Sequence, residues 1–219
     1  MKQLRKLLIV ATFGTLLSIS SPLMAQTVEF GIRDGVSLSW LAGIKDTTPL
    51  GGFYAGLTGD LYLGDHWGVG VDVTLAEQGV RCNPNSEGVA ISYLYDYLNI
   101  PLSLNYRVLL GDKHILQFMA GGQIGTFLLG KYEYTAPSVT GDGYVSGSEW
   151  LDSESFHPYD FGVLLGLQWS VGKTAIEVRY TLGITQTHNG ISNSVNDQYY
   201  ISVPDNRNSV LQIGTVFRF

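Results

Sequence analysis

Apolar and polar residues alternate with a period of two along most of the chain, the pattern of β-strands with one apolar face. In residues 67–75, a tryptophan, three valines and a leucine alternate with two glycines, an aspartate and a threonine. The alternation, less regular in the fifth segment, predicts eight strands and no amphipathic helix; the strands cover residues 30–42, 52–63, 67–75, 98–108, 115–129, 159–171, 174–185 and 211–219. An even number of antiparallel strands favours a closed barrel, which has no free strand edge.

The connections between these strands are alternately short and long. Three are short, at 64–66, 110–113 and 172–173. The others are longer, at 43–51, 81–90, roughly 131–158 and roughly 186–208. Outer-membrane barrels have tight periplasmic turns and long external loops. The sequence therefore predicts an all-β fold: an eight-stranded antiparallel transmembrane β-barrel with short periplasmic turns and long external loops.

The composition of the polar face indicates which side of the barrel meets lipid. This face carries glycine, serine, threonine, tyrosine, glutamine and a few charges of both signs, rather than the lysines and carboxylates of a water-facing surface. We therefore expect it to fill a narrow lumen, where opposite charges pair. The predicted lumen charge network is Arg33, Asp60, Asp72, Arg107, Asp160, Glu177, Arg179 and Arg218. A path for ions or solutes through this lumen is the alternative.

Aromatic residues on the apolar face occur where a membrane interface would place them. The predicted periplasmic girdle, near the short turns, is Phe30, Trp67, Tyr106, Trp169, Phe217 and Phe219. Trp40, Phe53 and Tyr180 would contribute to the outer girdle. Asp34 disturbs this pattern, because its carboxylate falls in the lipid-facing phase of the first strand. A local β-bulge, or a different register, would account for it.

The N-terminal segment predicts export. Lys2, Arg5 and Lys6 precede an apolar stretch at 7–20, and a small-residue site follows at Ala25. This is the anatomy of a signal peptide, so we expect residues 1–25 to be cleaved and 26–219 to form one barrel domain. Removing three basic residues changes the formal net charge from −6 to −9. Because phosphate binding needs a basic surface, nucleic acid is not an expected partner.

The segments FGIRDGVSLSW, QFMAGGQIGTFLLG, YDFGVLLGLQWSVG and above all YLNIPLSLNY at 97–106 resemble, in order, the PorT-like outer-membrane β-barrel family of Gram-negative envelopes. The resemblance extends over essentially the whole mature chain. It implies a barrel in the outer membrane, in contact with lipid and inserted by the barrel-assembly machinery, whose terminal signal Phe219 resembles. A founding member of the family serves type IX secretion. Asn99 stands where the family often has an acidic residue, so a role for that carboxylate does not transfer.

Catalytic and metal-binding motifs are weak. His157 or His188 beside Asp152, Asp160 or Ser155 would suit a hydrolase at the outer rim, but nothing in their spacing selects them. The acidic segment with Asp142, Glu149, Asp152 and Glu154 lacks the regular spacing of a calcium loop, and GGQIG at 121–125 lacks the helix and lysine of a phosphate loop. We therefore expect no enzyme activity and no cofactor.

The two longest loops combine aromatic residues with small polar ones, a composition typical of adaptable contact surfaces. The candidate contact residues are Tyr132, Tyr134, Tyr144, Trp150, Tyr199 and Tyr200. We hypothesise a non-enzymatic outer-membrane protein that acts through its external loops, on an external ligand, or as an accessory of an envelope or secretion complex. A small passive pore, an outer-rim hydrolase and a soluble periplasmic ligand-binding barrel remain as alternatives.

Overall fold

The computed structural model describes residues 26–42, 47–84, 88–138, 141–151, 157, 159–186, 191–195, 199–203 and 207–219. The predicted signal peptide lies outside these residues. The described part contains eleven β-strands, β1 (Gln26–Ala42), β2 (Thr47–Leu63), β3 (Trp67–Cys82), β4 (Ala90–Leu109), β5 (His114–Pro137), β6 (Tyr144–Trp150), β7 (Asp160–Val171), β8 (Thr174–Gly183), β9 (Ile191–Val195), β10 (Tyr199–Val203) and β11 (Arg207–Arg218). It includes no helix with the length and apolar character needed to cross a membrane.

Eight of the strands form a closed antiparallel ring. The order around the ring is β1, β2, β3, β4, β5, β7, β8 and β11. The first and last strands close it, with twelve residue pairs that run from Gly31–Arg218 to Ala42–Arg207. The predicted eight-stranded barrel is confirmed, and the closing strand is the C-terminal one.

The three predicted short turns join β2 to β3, β4 to β5 and β7 to β8. Each contains a glycine with a positive φ, 75° at Gly64, 87° at Gly111 and 61° at Gly172. Only glycine adopts this left-handed conformation without steric cost. The glycines therefore allow the tight connections at the periplasmic end.

The long external connections contain more strand than the sequence predicts. β4 begins at Ala90 instead of residue 98, and β5 continues to Pro137. β5 pairs with β7 over His114–Gly125 and with β6 over Lys131–Pro137. The predicted loops at 131–158 and 186–208 are thus partly wrong, because the first contains β6 and the second contains the β9–β10 hairpin.

A β-bulge explains the irregular alternation of the fifth predicted strand. Tyr97 pairs with Phe127 and Asp96 pairs with Leu129, so Leu128 is the extra residue. Beyond a bulge the two faces of a strand exchange phase. Odd-numbered residues such as Gln117 are buried below this point, and even-numbered residues such as Tyr132 are buried above it.

Burial is reversed relative to a water-soluble protein. Large apolar residues on the outer face of the ring are exposed, for example Leu57 at 62% and Leu165 at 57%, whereas the inward Glu177 and Arg179 are at most 1% exposed. An apolar outer band around a polar interior is the arrangement of a transmembrane barrel. The outer face therefore contacts lipid, and the core lies in the lumen.

Glycines make room for tyrosines inside this narrow lumen. Tyr54 is paired with Gly35 across β1 and β2, and Tyr62 is paired with Gly68 across β2 and β3. A Cβ atom at Gly35 would lie 2.8 Å from Tyr54 Cε1, and one at Gly68 would lie 2.5 Å from Tyr62 Cδ1. Each ring occupies the space that a side chain on the neighbouring strand would need.

Candidate functional site

The membrane-embedded part of the lumen contains a first cluster of paired charges. Arg33 Nη1 lies 3.0 Å from Asp72 Oδ2 and 3.4 Å from Glu177 Oε2. Arg179 Nη2 lies 3.1 Å from the same oxygen of Asp72. The Tyr54 hydroxyl donates to Glu177 Oε1 at 3.1 Å. Two cations thus balance two anions, as buried charges require.

A second cluster lies nearer the periplasmic turns. Arg218 Nε is 3.0 Å from Glu29 Oε2, and its Nη2 is 3.1 Å from Asp60 Oδ2. Arg107 Nη1 donates to Glu29 Oε1 at 3.0 Å. Asn105 Nδ2 donates to Asp60 Oδ1 at 2.8 Å. This cluster also has two charges of each sign. We call the two clusters together the lower lumen, with members Glu29, Arg33, Asp60, Asp72, Arg107, Glu177, Arg179 and Arg218.

The lower lumen differs from the predicted charge network at two positions. Asp160 was predicted to join it, but its carboxylate accepts a hydrogen bond from Thr185 Oγ1 at 2.7 Å, at the external end of β7. Glu29 was missed, because the first strand was predicted to begin at Phe30, whereas β1 begins at Gln26. Glu29 lies two residues before Gly31 and four before Arg33, so it shares their inward face. This alternation could have identified Glu29 from the sequence.

Above the bulge the inward positions carry aromatic and aliphatic side chains. We call this group the upper lumen; its buried members are Leu41, Val80, Val89, Ile91, Tyr93, Tyr95, Tyr97, Tyr132 and Ala136. The ring centroids of Tyr93 and Tyr132 are 6.1 Å apart, and those of Tyr97 and Phe127 are 5.9 Å apart. Such offset or edge-on ring contacts add to the burial of apolar area. The upper lumen is therefore a packed core.

The outer halves of β3, β4 and β5, together with β6, form a four-stranded sheet over this core. We call this sheet the external wall; it comprises residues 76–82, 90–97, 130–137 and 144–150. Its outward face is polar, since Arg81 Nε donates to Ser92 Oγ at 3.3 Å and Lys131 Nζ lies 2.8 Å from Glu133 Oε1. The wall thus faces water with a charged surface.

The predicted contact tyrosines divide between the two faces of the wall. Tyr144 and Trp150 are 71% and 72% exposed on β6. Tyr132 and Tyr134 lie in β5 instead of a loop and point inward after the phase change, and the half-buried Tyr134 packs against the upper lumen. Tyr132 is 3% exposed and donates to Glu149 Oε2 at 2.6 Å. The side chains of Tyr199 and Tyr200 lie outside the described residues.

The aromatic residues of the lipid-facing band gather near the two ends of the membrane-embedded strands. Near the turns, the ring centroids of Trp67 and Tyr106 are 4.8 Å apart, and those of Phe217 and Phe219 are 6.1 Å apart. The Phe219 N–H donates to the carbonyl oxygen of Phe30 at 2.9 Å. Toward the loops, the Trp40 and Tyr180 centroids are 6.0 Å apart, and Phe53 is 71% exposed. Their role as interfacial girdles stays a prediction.

Neither the β-bulge nor the different register that would account for Asp34 occurs. Asp34 pairs with Ala55 on β2 and with Thr215 on β11, and both registers are continuous through this row. The side chain is exposed on the lipid-facing side, where its Oδ1 accepts a hydrogen bond from Thr215 Oγ1 at 2.5 Å. The carboxyl group therefore lies within the lipid-facing band.

The described residues contain no group of three or more His, Cys, Asp or Glu side chains that would hold a metal ion. Glu149, which the sequence placed in an acidic loop, lies in β6 instead. His157 lines a shallow external groove of about 630 Å³ with Tyr159, Thr185 and Arg207. The other members of the predicted Asp–His arrangement at the rim, Asp152, Ser155 and His188, lie outside the described residues, as does Glu154.

Solved structures of outer-membrane proteins resemble this fold at low identity. Ail, the attachment invasion locus protein of Yersinia pestis in complex with the heparin analogue sucrose octasulfate, is 15% identical, with a TM-score of 0.42 over 88% of this chain and 99% of that chain. Neisserial surface protein A is 11% identical, with a TM-score of 0.42 over 89% of this chain and 99% of that chain. The protease OmpT from Escherichia coli is 11% identical, with a TM-score of 0.20 over 89% of this chain and 96% of that chain.

No curated protein sequence matches the chain. The model of the outer membrane protein beta-barrel domain family matches residues 24–189. This match includes the strands from β1 to β8, with the lower lumen charges that they carry. The chain therefore belongs to the outer membrane protein beta-barrel domain family and is a protein of the outer membrane.

Proposed function

We propose that this protein is a non-enzymatic outer-membrane protein whose external wall binds another protein of an envelope or secretion complex. The observation that supports this most is the continuation of three barrel strands beyond the lipid-facing band, with β6 added at their edge. Barrel function concentrates in external elements when the lumen is filled by side chains.

The wall is held in place by the core beneath it. Val80, Ile91 and Tyr93 are each at most 1% exposed and pack under its three inner strands. A surface supported in this way loses little conformational entropy when a partner binds. This distinguishes the wall from a mobile loop and favours a binding role.

β6 offers both side chains and backbone to a partner. Among the described residues, the only strand that pairs with β6 is β5, so the opposite edge of β6 is free there. An extended segment of a partner protein would add to such an edge through main-chain hydrogen bonds. Tyr144 and Trp150, at the two ends of β6, would supply aromatic anchors.

The resemblance to the PorT-like family supports an envelope or secretion complex as the source of the partner. Residues 97–106, which carry most of that resemblance, pass from the external wall into the lipid-facing band. The identity of the partner does not follow from this resemblance.

The proposal can be tested by site-specific crosslinking in intact cells. A photoreactive residue placed at Tyr144 or Trp150 should capture the same protein from both positions. The matched control is Tyr159, which is 58% exposed but belongs to no strand of the wall. Trp150→Ser should reduce capture from position 144 about tenfold, the size of effect typical of a central aromatic anchor. Equal capture from position 159, or none from the wall in correctly assembled protein, would contradict the proposal.

A closed lumen is part of the same proposal and separates it from a passive pore. The lower lumen holds four cations and four anions in mutual contact, which leaves no chain of unpaired charges for an ion to follow. We expect the purified protein to produce no conductance in planar bilayers. Stable single-channel steps would favour the pore instead.

We also propose that residues 1–25 are a cleaved signal peptide, which is supported by the basic residues Lys2, Arg5 and Lys6 before the apolar stretch at 7–20. The mass of the protein extracted from outer membranes should correspond to a chain that starts at Gln26. A mass that includes residues 1–25 would refute this.

A further inference from the structure

Two shallow grooves on the outer surface join where the lipid-facing band meets the external wall. The lower groove, of about 400 Å³, has apolar sides formed by Phe53, Ala55, Leu75, Leu128 and Leu129. The upper groove, of about 290 Å³, lies at the base of the wall. Glu77, Asp96 and Leu129 line both grooves. The two are therefore continuous, and we call them together the boundary groove.

The lower part of the boundary groove belongs to the lipid-facing band. Phe53 and Leu75 are 71% and 57% exposed there. The β-bulge adds Leu128 beside Leu129, and both leucines are 46% exposed on the outer face. An exposed apolar surface of this kind contacts the hydrocarbon of the membrane. The acyl chain of a lipid therefore covers the lower part, and the headgroup of that lipid lies at the upper part.

The upper part has two carboxylates at the level of that headgroup. Glu77 is two residues beyond Leu75, about 7 Å further along β3. Asp96 on β4 pairs directly with Glu77, and both side chains are half-buried on the outward face. Like charges directly opposite each other destabilise a sheet. The pair therefore costs stability unless a cation lies between the two carboxylates.

The described part of the chain supplies no such cation. Lys131 Nζ is 2.8 Å from Glu133 Oε1, and Arg81 Nε donates to a serine hydroxyl on β4. A third carboxylate of the upper groove, that of Glu149, accepts a hydrogen bond from the Tyr132 hydroxyl at 2.6 Å. Among the described residues, the two opposed carboxylates are thus left without an ion pair.

We propose that the boundary groove binds a lipid of the external leaflet whose headgroup carries a primary ammonium group. The Cβ atoms of directly opposite residues lie about 4.5–5.5 Å apart, so one ammonium group reaches both Glu77 and Asp96. Its three N–H donors are enough for two carboxylates, and hydrogen bonds between opposite charges are among the strongest that side chains make. The acyl chain of the same lipid fills the apolar lower part.

The boundary groove therefore selects between lipid headgroups. An anionic headgroup without an amine would bring a further negative charge beside Glu77 and Asp96, and Coulomb repulsion would disfavour it. A zwitterionic headgroup keeps an ammonium group for the two carboxylates. The site goes beyond the proposed binding of a protein by the external wall and does not depend on it, because one barrel and one lipid complete it.

The test is native mass spectrometry of the mature chain, released from lipid nanodiscs that contain equal amounts of phosphatidylethanolamine and phosphatidylglycerol. We expect the barrel to retain phosphatidylethanolamine about tenfold more often than phosphatidylglycerol, the size of effect typical of charge-assisted hydrogen bonds. Glu77→Gln with Asp96→Asn should lose this preference, because the amides keep the size of the side chains and remove both charges. The matched control, Asp65→Asn with Asp112→Asn, removes two charges from exposed periplasmic turns and should keep the preference.

A second variant tests the apolar part of the site. Ala55→Trp fills the lower part of the boundary groove and should reduce retention of phosphatidylethanolamine. Its control, Ile124→Trp, lies on the lipid-facing side of β5 outside the groove, at a position that is 45% exposed, and should leave retention unchanged.

Gel mobility before and after heating shows which variants are folded, and Asp96→Asn alone replaces the double variant if the latter does not fold. The proposal is overturned if the parent protein retains both lipids equally or retains neither. It is also overturned if the folded charge variant keeps the preference of the parent, or if Ala55→Trp retains as much phosphatidylethanolamine as Ile124→Trp.

Discussion

The lower lumen and the upper lumen are lined by inward positions of the same strands, but with opposite chemistry. On β4, Asn105 and Arg107 point into the lower lumen, and Tyr93 and Tyr97 point into the upper lumen. The outward positions change in the opposite sense, from Leu102 at 55% exposed to half-buried Ser92 and Asp96. Below the boundary the outside is lipid, so the polar residues are inside. Above it the outside is water, so the apolar residues are inside.

The same alternation of inward and outward residues is therefore used along one strand in two environments, lipid and water. In lipid, the outward apolar face gains little from hydrophobic burial, and the inner charges must satisfy one another. In water, the wall is stabilised as a soluble sheet would be, by an apolar core under one face. The two halves should therefore respond differently to the same kind of substitution.

The largest effect is expected from breaking the lower lumen. Arg33→Leu removes the cation that contacts both Asp72 and Glu177. An uncompensated buried carboxylate remains, so the free energy of unfolding should fall by about 3–5 kcal/mol. Urea unfolding of the barrel in lipid vesicles measures this change.

The double variant Arg33→Leu with Glu177→Gln tests whether the loss comes from charge imbalance. It removes one charge of each sign, keeps an acceptor for Tyr54 and leaves the Arg179–Asp72 ion pair at 3.1 Å. We expect it to be more stable than Arg33→Leu alone. If it is equally unstable, the packing of Arg33 rather than its charge stabilises the lower lumen.

A smaller and local effect is expected from a cavity in the upper lumen. Ile91 is 1% exposed in that core, and Ile91→Ala should destabilise the wall by about 2–4 kcal/mol. Ile91 does not contact the lower lumen, so the barrel should keep its heat-dependent gel mobility. The external wall, in contrast, should become sensitive to added protease. Leu102→Ala on the lipid face is the control, and it should leave protease resistance unchanged. Loss of the whole barrel in Ile91→Ala would show that the two halves unfold together.

The sequence predicted the lower half of the molecule well, because lipid imposes a simple rule there. Leu57 and Leu165 had to be outside and Arg179 inside, and a period of two was enough to place them. The closure of β1 onto β11 followed from the even number of strands. Within this half, the strand start was set at Phe30, and this excluded Glu29 although its phase was correct.

The structure of the upper half was predicted less accurately, because alternation there no longer separates polar from apolar residues. In 90–97, tyrosines alternate with serine, leucine and aspartate, so both phases contain polar atoms. The bulge at Leu128 then exchanged the faces of β5, and this placed Tyr132 in the core instead of on a contact surface. A bulge has no reliable sequence signal, and β6 owes its strand conformation to pairing with β5, which is a tertiary effect.

The smallest effect provides the most direct comparison, because the same atom is removed from each half. The Tyr62 hydroxyl donates to Gln117 Oε1 at 2.8 Å, and its ring lies 3.2 Å from the guanidinium carbon of Arg107. Tyr62→Phe should therefore cost about 1 kcal/mol, since the buried Gln117 Oε1 would keep only the longer hydrogen bond from Arg107 Nε at 3.4 Å. The Tyr93 hydroxyl is buried and has no hydrogen-bond partner in the described part of the chain. Tyr93→Phe should accordingly be neutral or stabilise the wall by up to about 1 kcal/mol. Urea unfolding measures the change in Tyr62→Phe, and protease resistance of the wall measures the change in Tyr93→Phe. If both variants lose the same stability, water or another group must bind the Tyr93 hydroxyl. The upper lumen would then be as polar as the lower lumen.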